Sequence, residues 1–218
     1  MTLATIQIET APNPTVSVIW MHGLGADGND FVPIVHELDL HGCPAIRFVF
    51  PNAPHIPVTV NGGYVMPAWY DIRTADIANR EDETGIRASQ AAIEELIEIE
   101  HTRGAQKIIL AGFSQGCAMT LQTGLRHSNK LAGLLCLSGY VPLYQNVARE
   151  RHSANQGTPI FMAHGNADPI IPLQRAEQSR DLLTQLGYEV EWHEYPMQHS
   201  VCIPEISDMG AWFRRVLA

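Results

Sequence analysis

Apolar positions along the chain follow two alternating rhythms. Residues 16–21 (VSVIWM), 45–50 (AIRFVF), 107–113 (KIILAGF), 131–138 and 158–164 are short runs of almost unbroken apolar character. Runs of that length, rich in Val, Ile and Phe, predict strands buried on both faces. Between them the apolar residues recur at helical spacing. Ile86, Ile93, Leu96 and Ile97 mark one face of a helix over 86–100, and a second helix is expected over about 115–126. Leu173, Ala176, Leu183 and Leu186 mark a third, which Gly187 can end in left-handed geometry. Residues 188–195 alternate polar and apolar, as a half-exposed strand does. A last helix begins near Pro204 and buries Ile206, Met209, Phe213 and Leu217. Continuous apolar strands alternating with helices predict an α/β fold with a mostly parallel central sheet covered by helices on both faces.

One stretch breaks this rhythm. Residues 51–85 start proline-rich and end acidic, with a small hairpin expected across 57–66 around Asn61-Gly62-Gly63. Tyr64, Met66, Trp69 and Tyr70 are too apolar for a disordered linker, so an ordered loop beside a site is expected. No insertion is long enough to form a separate cap domain. The 218 residues suffice for one domain with a substantial core, spanning 1–218, and are too few for two comfortable ones.

A net charge of −9 disfavours a nucleic-acid partner, which calls for a basic face. The first twelve residues, MTLATIQIETAP, have no basic start and no long apolar run, so they resemble neither a leader peptide nor a membrane anchor. Cys43, Cys117, Cys136 and Cys202 are widely scattered, without the spacing of a zinc site or a disulfide framework. Free buried thiols in a reducing cytoplasm are expected, with no zinc site and no stable membrane insertion.

Gly112-Phe113-Ser114-Gln115-Gly116 is a G-x-S-x-G set between a predicted strand and a predicted helix. A serine hydroxyl attacks poorly until a base takes its proton, and a sharp strand-to-helix turn presents it to base and substrate together. In a parallel sheet, residues just past the C-terminal strand ends meet at one rim. Asp168 follows the 158–164 strand and His199 follows the 188–195 strand, in the chain order Ser, Asp, His. His164 is the rival base, but its strand already supplies Asp168. Asp71 is the rival carboxylate, but it precedes Ser114 and lies in the irregular loop.

The oxyanion of an acyl intermediate needs N–H donors. The Gln115 amide, at a helix start, is one candidate, and Leu24, in the loop after the first strand, is the other. That loop also contains Gly23, Gly25 and Gly28, a G-x-G-x-x-G that suggests dinucleotide binding. The acidic residue required at the end of the next strand is missing, because Pro51-Asn52-Ala53-Pro54-His55 stands there. Tyr64, Met66, Trp69 and Leu143 are the candidates for an apolar substrate groove; for Trp69, an anchor between loop and core weighs equally.

Taken together, HGLGADG, PNAPHIPVTVNGG, Trp-Tyr-Asp at 69–71, GFSQG, HGNADPIIP and YPMQHS resemble the bacterial carboxylesterase and acyl-protein thioesterase family from about residue 16 onward. The resemblance implies an α/β-hydrolase fold, Ser114 as nucleophile with Asp168 and His199, and an oxyanion hole from the Leu24 and Gln115 amides. It implies hydrolysis of short- to medium-chain carboxylic esters, with lysophospholipids or S-acylated proteins as alternative substrates, and no cofactor. Cys117 departs from the family, where a second glycine often follows the turn. An apolar patch at the mouth of such a site can support a homodimer.

Overall fold

A computed structural model describes residues 2–74 and 81–218. Part of the irregular 51–85 stretch, including Arg80 of its acidic end, therefore lies outside the described residues. In chain order the elements are β1 (Thr5–Glu9), β2 (Val16–Met21), α1 (Val32–Val35), β3 (Ile46–Pro51), β4 (His55–Val58), β5 (Tyr64–Pro67), α2 (Glu83–Thr102) and β6 (Lys107–Phe113). They continue with α3 (Gln115–Gly124), β7 (Gly133–Leu137), α4 (Val147–Glu150), β8 (Ile160–Gly165), α5 (Leu173–Gln185), β9 (Val190–Tyr195) and α6 (Ile203–Leu217).

Seven strands form one sheet in the order β1-β3-β2-β6-β7-β8-β9, and β4 and β5 form a separate hairpin. All neighbours in the large sheet pair in parallel except β1, which runs antiparallel to β3. The apolar-run reading misses β1 because only Ile6 and Ile8 are apolar there. These two residues pack against the core while the strand covers the sheet edge.

Because successive side chains on a strand point to opposite faces, each central strand feeds two cores. Ile19 and Met21 of β2, with Ile108 and Leu110 of β6, meet α2 and α3 on one face through Ile93, Ile97, Met119 and Leu121. Val18 and Trp20, with Ile109 and Ala111, meet Phe31 and the α6 residues Met209, Trp212 and Phe213 on the other. Every residue of β2, β3, β7 and β8 is buried. At the far edge, β9 is only partly buried and carries Glu191 and Glu194, which blunt an otherwise open edge. Gly187 adopts φ +83° just past α5, as the sequence predicts.

One core carboxyl has no counterpart in the sequence patterning. Glu205, in the first turn of α6, is fully buried and accepts the Cys202 N–H at 3.4 Å, while its other oxygen has no hydrogen-bond partner among the described residues. Burial, opposed by the Cys202 hydrogen bond and reinforced by Asp208, pushes its pKa up from 4.5 to about 8. Between those values the unfolded chain has released the proton that the folded protein still holds. This group therefore removes stability as pH rises through that window. Glu205→Gln keeps the acceptor and is expected to flatten this loss, read by denaturant unfolding at pH values on either side of the window. A variant with the wild-type pH slope would exclude Glu205 as its source.

Candidate active site

The chain leaves β6 and enters α3 through Ser114, whose backbone sits at φ 56° and ψ −116°. Two glycines make this turn feasible. A Cβ on Gly112 would stand 2.2 Å from the Gly116 carbonyl oxygen, and one on Gly116 would stand 2.2 Å from that of Met21. The G-x-S-x-G spacing thus records how closely α3 approaches β2 and β6. The Ser114 N–H donates to the Leu137 carbonyl at 2.9 Å, tying the turn to β7.

Ser114, His199 and Asp168 meet above the C-terminal ends of β6, β9 and β8. The Ser114 hydroxyl donates to His199 Nε2 at 2.9 Å, and His199 Nδ1–H donates to Asp168 Oδ2 at 2.6 Å. Asp168 Oδ1 accepts the amides of Ile170 and Ile171 at 2.8 and 3.0 Å, and its side chain is fully buried. The loop carrying His199 closes over β8 because residue 165 is glycine: a Cβ there would lie 2.4 Å from the carbonyl oxygens of Met197 and Gln198. The rival carboxylate Asp71 is occupied elsewhere, accepting the Thr59 N–H and hydroxyl at 2.7 and 2.6 Å. His164 is buried beneath Asp168, its Nε2 donating to the Ile171 carbonyl at 2.8 Å.

Leu24 and Gln115 border the same cavity as Ser114 and His199. Among the described residues neither amide donates to another group of the protein, so both N–H groups are free for an incoming oxygen. The supporting structure is dense. His22 accepts the Ala53 N–H at Nε2 and therefore donates from Nδ1 to the Gly23 carbonyl at 2.7 Å. Burial lowers its pKa against the opposing Gly23 hydrogen bond, in keeping with a neutral ring. Cys117, the departure from the family pattern, is fully buried in α3 and faces Gly139, where a Cβ would lie 2.4 Å from its sulfur.

Comparison with known proteins decides the lineage. The sequence profile of the Phospholipase/Carboxylesterase family matches residues 3–216. The chain belongs to that family. Acyl-protein thioesterase 1 of Yarrowia lipolytica is 38% identical over 214 residues, spanning 95% of this chain and 94% of that protein. The Neurospora crassa protein of the same name is 41% identical over 203 residues, spanning 88% and 83%. The crystal structure of Arabidopsis thaliana SOBER1 superposes with a TM-score of 0.88 at 27% identity, covering 93% of this chain and 99% of that one. The architecture is the α/β-hydrolase fold, and the protein is a hydrolase of the phospholipase/carboxylesterase family.

The substrate side differs from the sequence expectation. The cavity beside Ser114 has a volume of about 320 Å³, and Tyr70, Ile72, Tyr140, Ile170 and Ile171 are among its walls, with Phe113 and the carboxylate of Asp30. None of the four predicted groove residues lines it. Tyr64 projects from the β4–β5 hairpin, 69% exposed. Met66 is held on that hairpin, its sulfur accepting from Asn61 Nδ2 at 3.5 Å. Leu143 faces a separate polar recess with Glu81 and Arg175.

Trp69 is buried on the far side of the loop, against a larger cavity that does not touch Ser114. Its indole N–H donates to the His22 carbonyl at 2.9 Å and its backbone N–H to Gln115 Oε1 at 2.8 Å, while Ser89 donates to its carbonyl. It is the anchor that the sequence left as one of two alternatives. The walls that sequence reasoning missed carried a signal of their own: Ile170 and Ile171 are adjacent apolar residues in the loop just past Asp168, where solvent-facing polar residues are the norm.

Trp69→Ala is expected to destabilise the fold by about 3–5 kcal/mol and to lower turnover of every ester, leaving the ranking of acyl-chain lengths unchanged. Chain-length profiling and thermal melts check this; a changed ranking would put Trp69 back in contact with substrate.

Proposed function

We propose that this hydrolase cleaves carboxylic esters of short to medium acyl chains through an acyl-enzyme on Ser114, with His199 as general base and acid. The observation that carries this reading is the continuous line from hydroxyl to imidazole to buried carboxylate, at 2.9 and 2.6 Å. His199 takes the Ser114 proton as Oγ attacks the acyl carbon, and the Leu24 and Gln115 amides receive the negative charge on the former carbonyl oxygen. His199 then passes that proton to the leaving alcohol. Water repeats the sequence, releasing the acid and restoring Ser114. Asp168 holds the ring with Nδ1–H toward itself and offsets its transient positive charge.

The acyl-chain assignment rests on size and lining. At about 320 Å³ the cavity sits at the lower end of ligand pockets, and Ile72, Ile170 and Ile171 offer no polar partner to an acyl chain. Tyr70 and Tyr140 also face it, but their hydroxyls bond each other at 2.7 Å. A second reading, S-acylated protein as the substrate, is favoured by the names of the fungal relatives and by Ile170, 61% exposed at the cavity mouth. No helix among the described residues is long and apolar enough to cross a membrane. All four cysteines are free, which fits a reducing cytoplasm as the location.

Ser114→Ala is expected to lose on the order of 10⁴-fold or more in kcat/KM on p-nitrophenyl acetate and to lose labelling by a fluorophosphonate. Undiminished hydrolysis by that variant would end the proposal. In a panel of acetyl, octanoyl and palmitoyl esters and thioesters, the wild type should favour the shorter oxygen esters. Ile72→Trp, which fills the cavity, should depress octanoyl turnover more than acetyl turnover. A preference for palmitoyl thioesters would instead select the second reading.

A further inference from the structure

His164 is the penultimate residue of β8, four residues before Asp168 and fully buried, and the proton transfers described above do not use it. Its Nε2 lies 2.8 Å from the Ile171 carbonyl oxygen and 3.4 Å from Asp168 Oδ2, the oxygen that also accepts from His199. Its Nδ1 has no hydrogen-bond partner among the described residues. A carbonyl accepts only, so Nε2 must carry the hydrogen and Nδ1 a bare lone pair. Protonating Nδ1 as well would create a buried cation whose new N–H has nothing to bond. Burial, opposed by the Ile171 hydrogen bond and by Asp168, lowers the pKa of this ring, in line with a neutral state.

The turn is therefore closed on itself. Ile171 donates its N–H to Asp168 Oδ1 and takes the His164 N–H on its carbonyl, which holds His164 Nε2 3.4 Å from Asp168 Oδ2. Other titratable groups surround the ring: His199 beyond Asp168, and Glu194 opposite it in the β9 register. On the same face β7 presents the Cys136 thiol, α3 presents Cys117, and Arg175 of α5 lies over the Tyr140 ring at 4.6 Å.

We infer that His164 is a positioning residue for the Ser114–His199–Asp168 reading on which this inference rests. Its Nε2–H, fixed by the Ile171 carbonyl and 3.4 Å from Asp168 Oδ2, tempers the negative charge that the carboxylate presents to His199 and so sets where the acid limb of kcat/KM falls. The sign follows from the dipole. A positive N–H end beside Oδ2 stabilises the carboxylate and leaves less negative potential at the His199 ring, so its cation is less favoured. Asp168 stays oriented without His164 through the Ile170 and Ile171 amides, so the effect is on basicity and the triad still assembles.

The test is kcat/KM against pH on p-nitrophenyl acetate for wild type, His164→Phe and His164→Gln, with Ser114→Ala alongside. In His164→Phe the acid limb should move to higher pH by about half a unit. In His164→Gln, whose amide N–H reaches the Nε2 position, the limb should return toward wild type. A His164→Phe limb that stays in place or moves to lower pH overturns the inference, as does a Gln variant that matches Phe. Should the Phe variant not fold, ¹⁵N NMR of the wild-type histidines decides. A His164 ring with hydrogen on Nε2 that does not titrate across roughly pH 5–8 is expected; one that titrates there, or carries hydrogen on Nδ1, overturns it. An unmoved limb with an inactive Ser114→Ala refutes the role of His164 alone, whereas an active Ser114→Ala refutes the triad beneath it.

Discussion

The backbone at Ser114, held at φ 56° and ψ −116°, turns a buried strand into a buried helix without an intervening loop. A non-glycine residue in that region costs on the order of 1–3 kcal/mol, and it persists only where its surroundings leave no alternative. Here they leave none. All ten residues of α3 are buried, β6 lies between β2 and β7, and the Ser114 amide is committed to the Leu137 carbonyl. The helix cannot back away from the sheet, so the turn cannot relax. The strain lifts one hydroxyl to the rim of the sheet and sets the amide of Gln115, the first residue of α3, beside it.

Parallel pairing supplies the rest of the geometry. With β6, β7, β8 and β9 running the same way, the segments after each C-terminal end arrive at one rim. Residues separated by 54 and 31 positions along the chain thereby come within hydrogen-bond distance with no element bent to fit them. Gln115 shows how economically that rim is built. Its side chain takes the Trp69 N–H and gives its own N–H to the Tyr70 carbonyl at 2.8 Å. One residue thus clamps the wall of the cavity while also bordering it beside Ser114.

The strands and helices that set the rim were legible because each carries a strong period: unbroken apolar runs for β2, β6 and β8, and three- and four-residue spacing for α2 and α6. Ser114, Asp168 and His199 were legible because strand ends are fixed once the strands are. Less legible was whatever depends on the direction a side chain takes in irregular structure. Aromatic content said that residues 64–70 are ordered, but not which way each ring points. β1 escaped because two isoleucines in five residues leave no run to detect. The pairing of Cys117 with Gly139 was invisible for a different reason. It is an exchange of volume between α3 and the loop after β7, and 22 residues of sequence separate the two halves.

The groove candidates that stand outside the cavity beside Ser114 point to a physical sorting rule that sequence reading can adopt. An aromatic with a polar tip, once buried, needs a partner for that tip. Trp69 finds its partner in the backbone of the loop after β2, so its ring becomes a strut between that loop and the core. Tyr70 and Tyr140 satisfy each other, which lets their rings face the cavity without presenting a free hydroxyl to an acyl chain. Ile72, Ile170 and Ile171 have no such demand and take part of the remaining wall. The best sequence candidates for the apolar wall of such a cavity are therefore aliphatic residues stranded in loops near the C-terminal strand ends. A tryptophan there is better read first as the bolt that holds the loop in place.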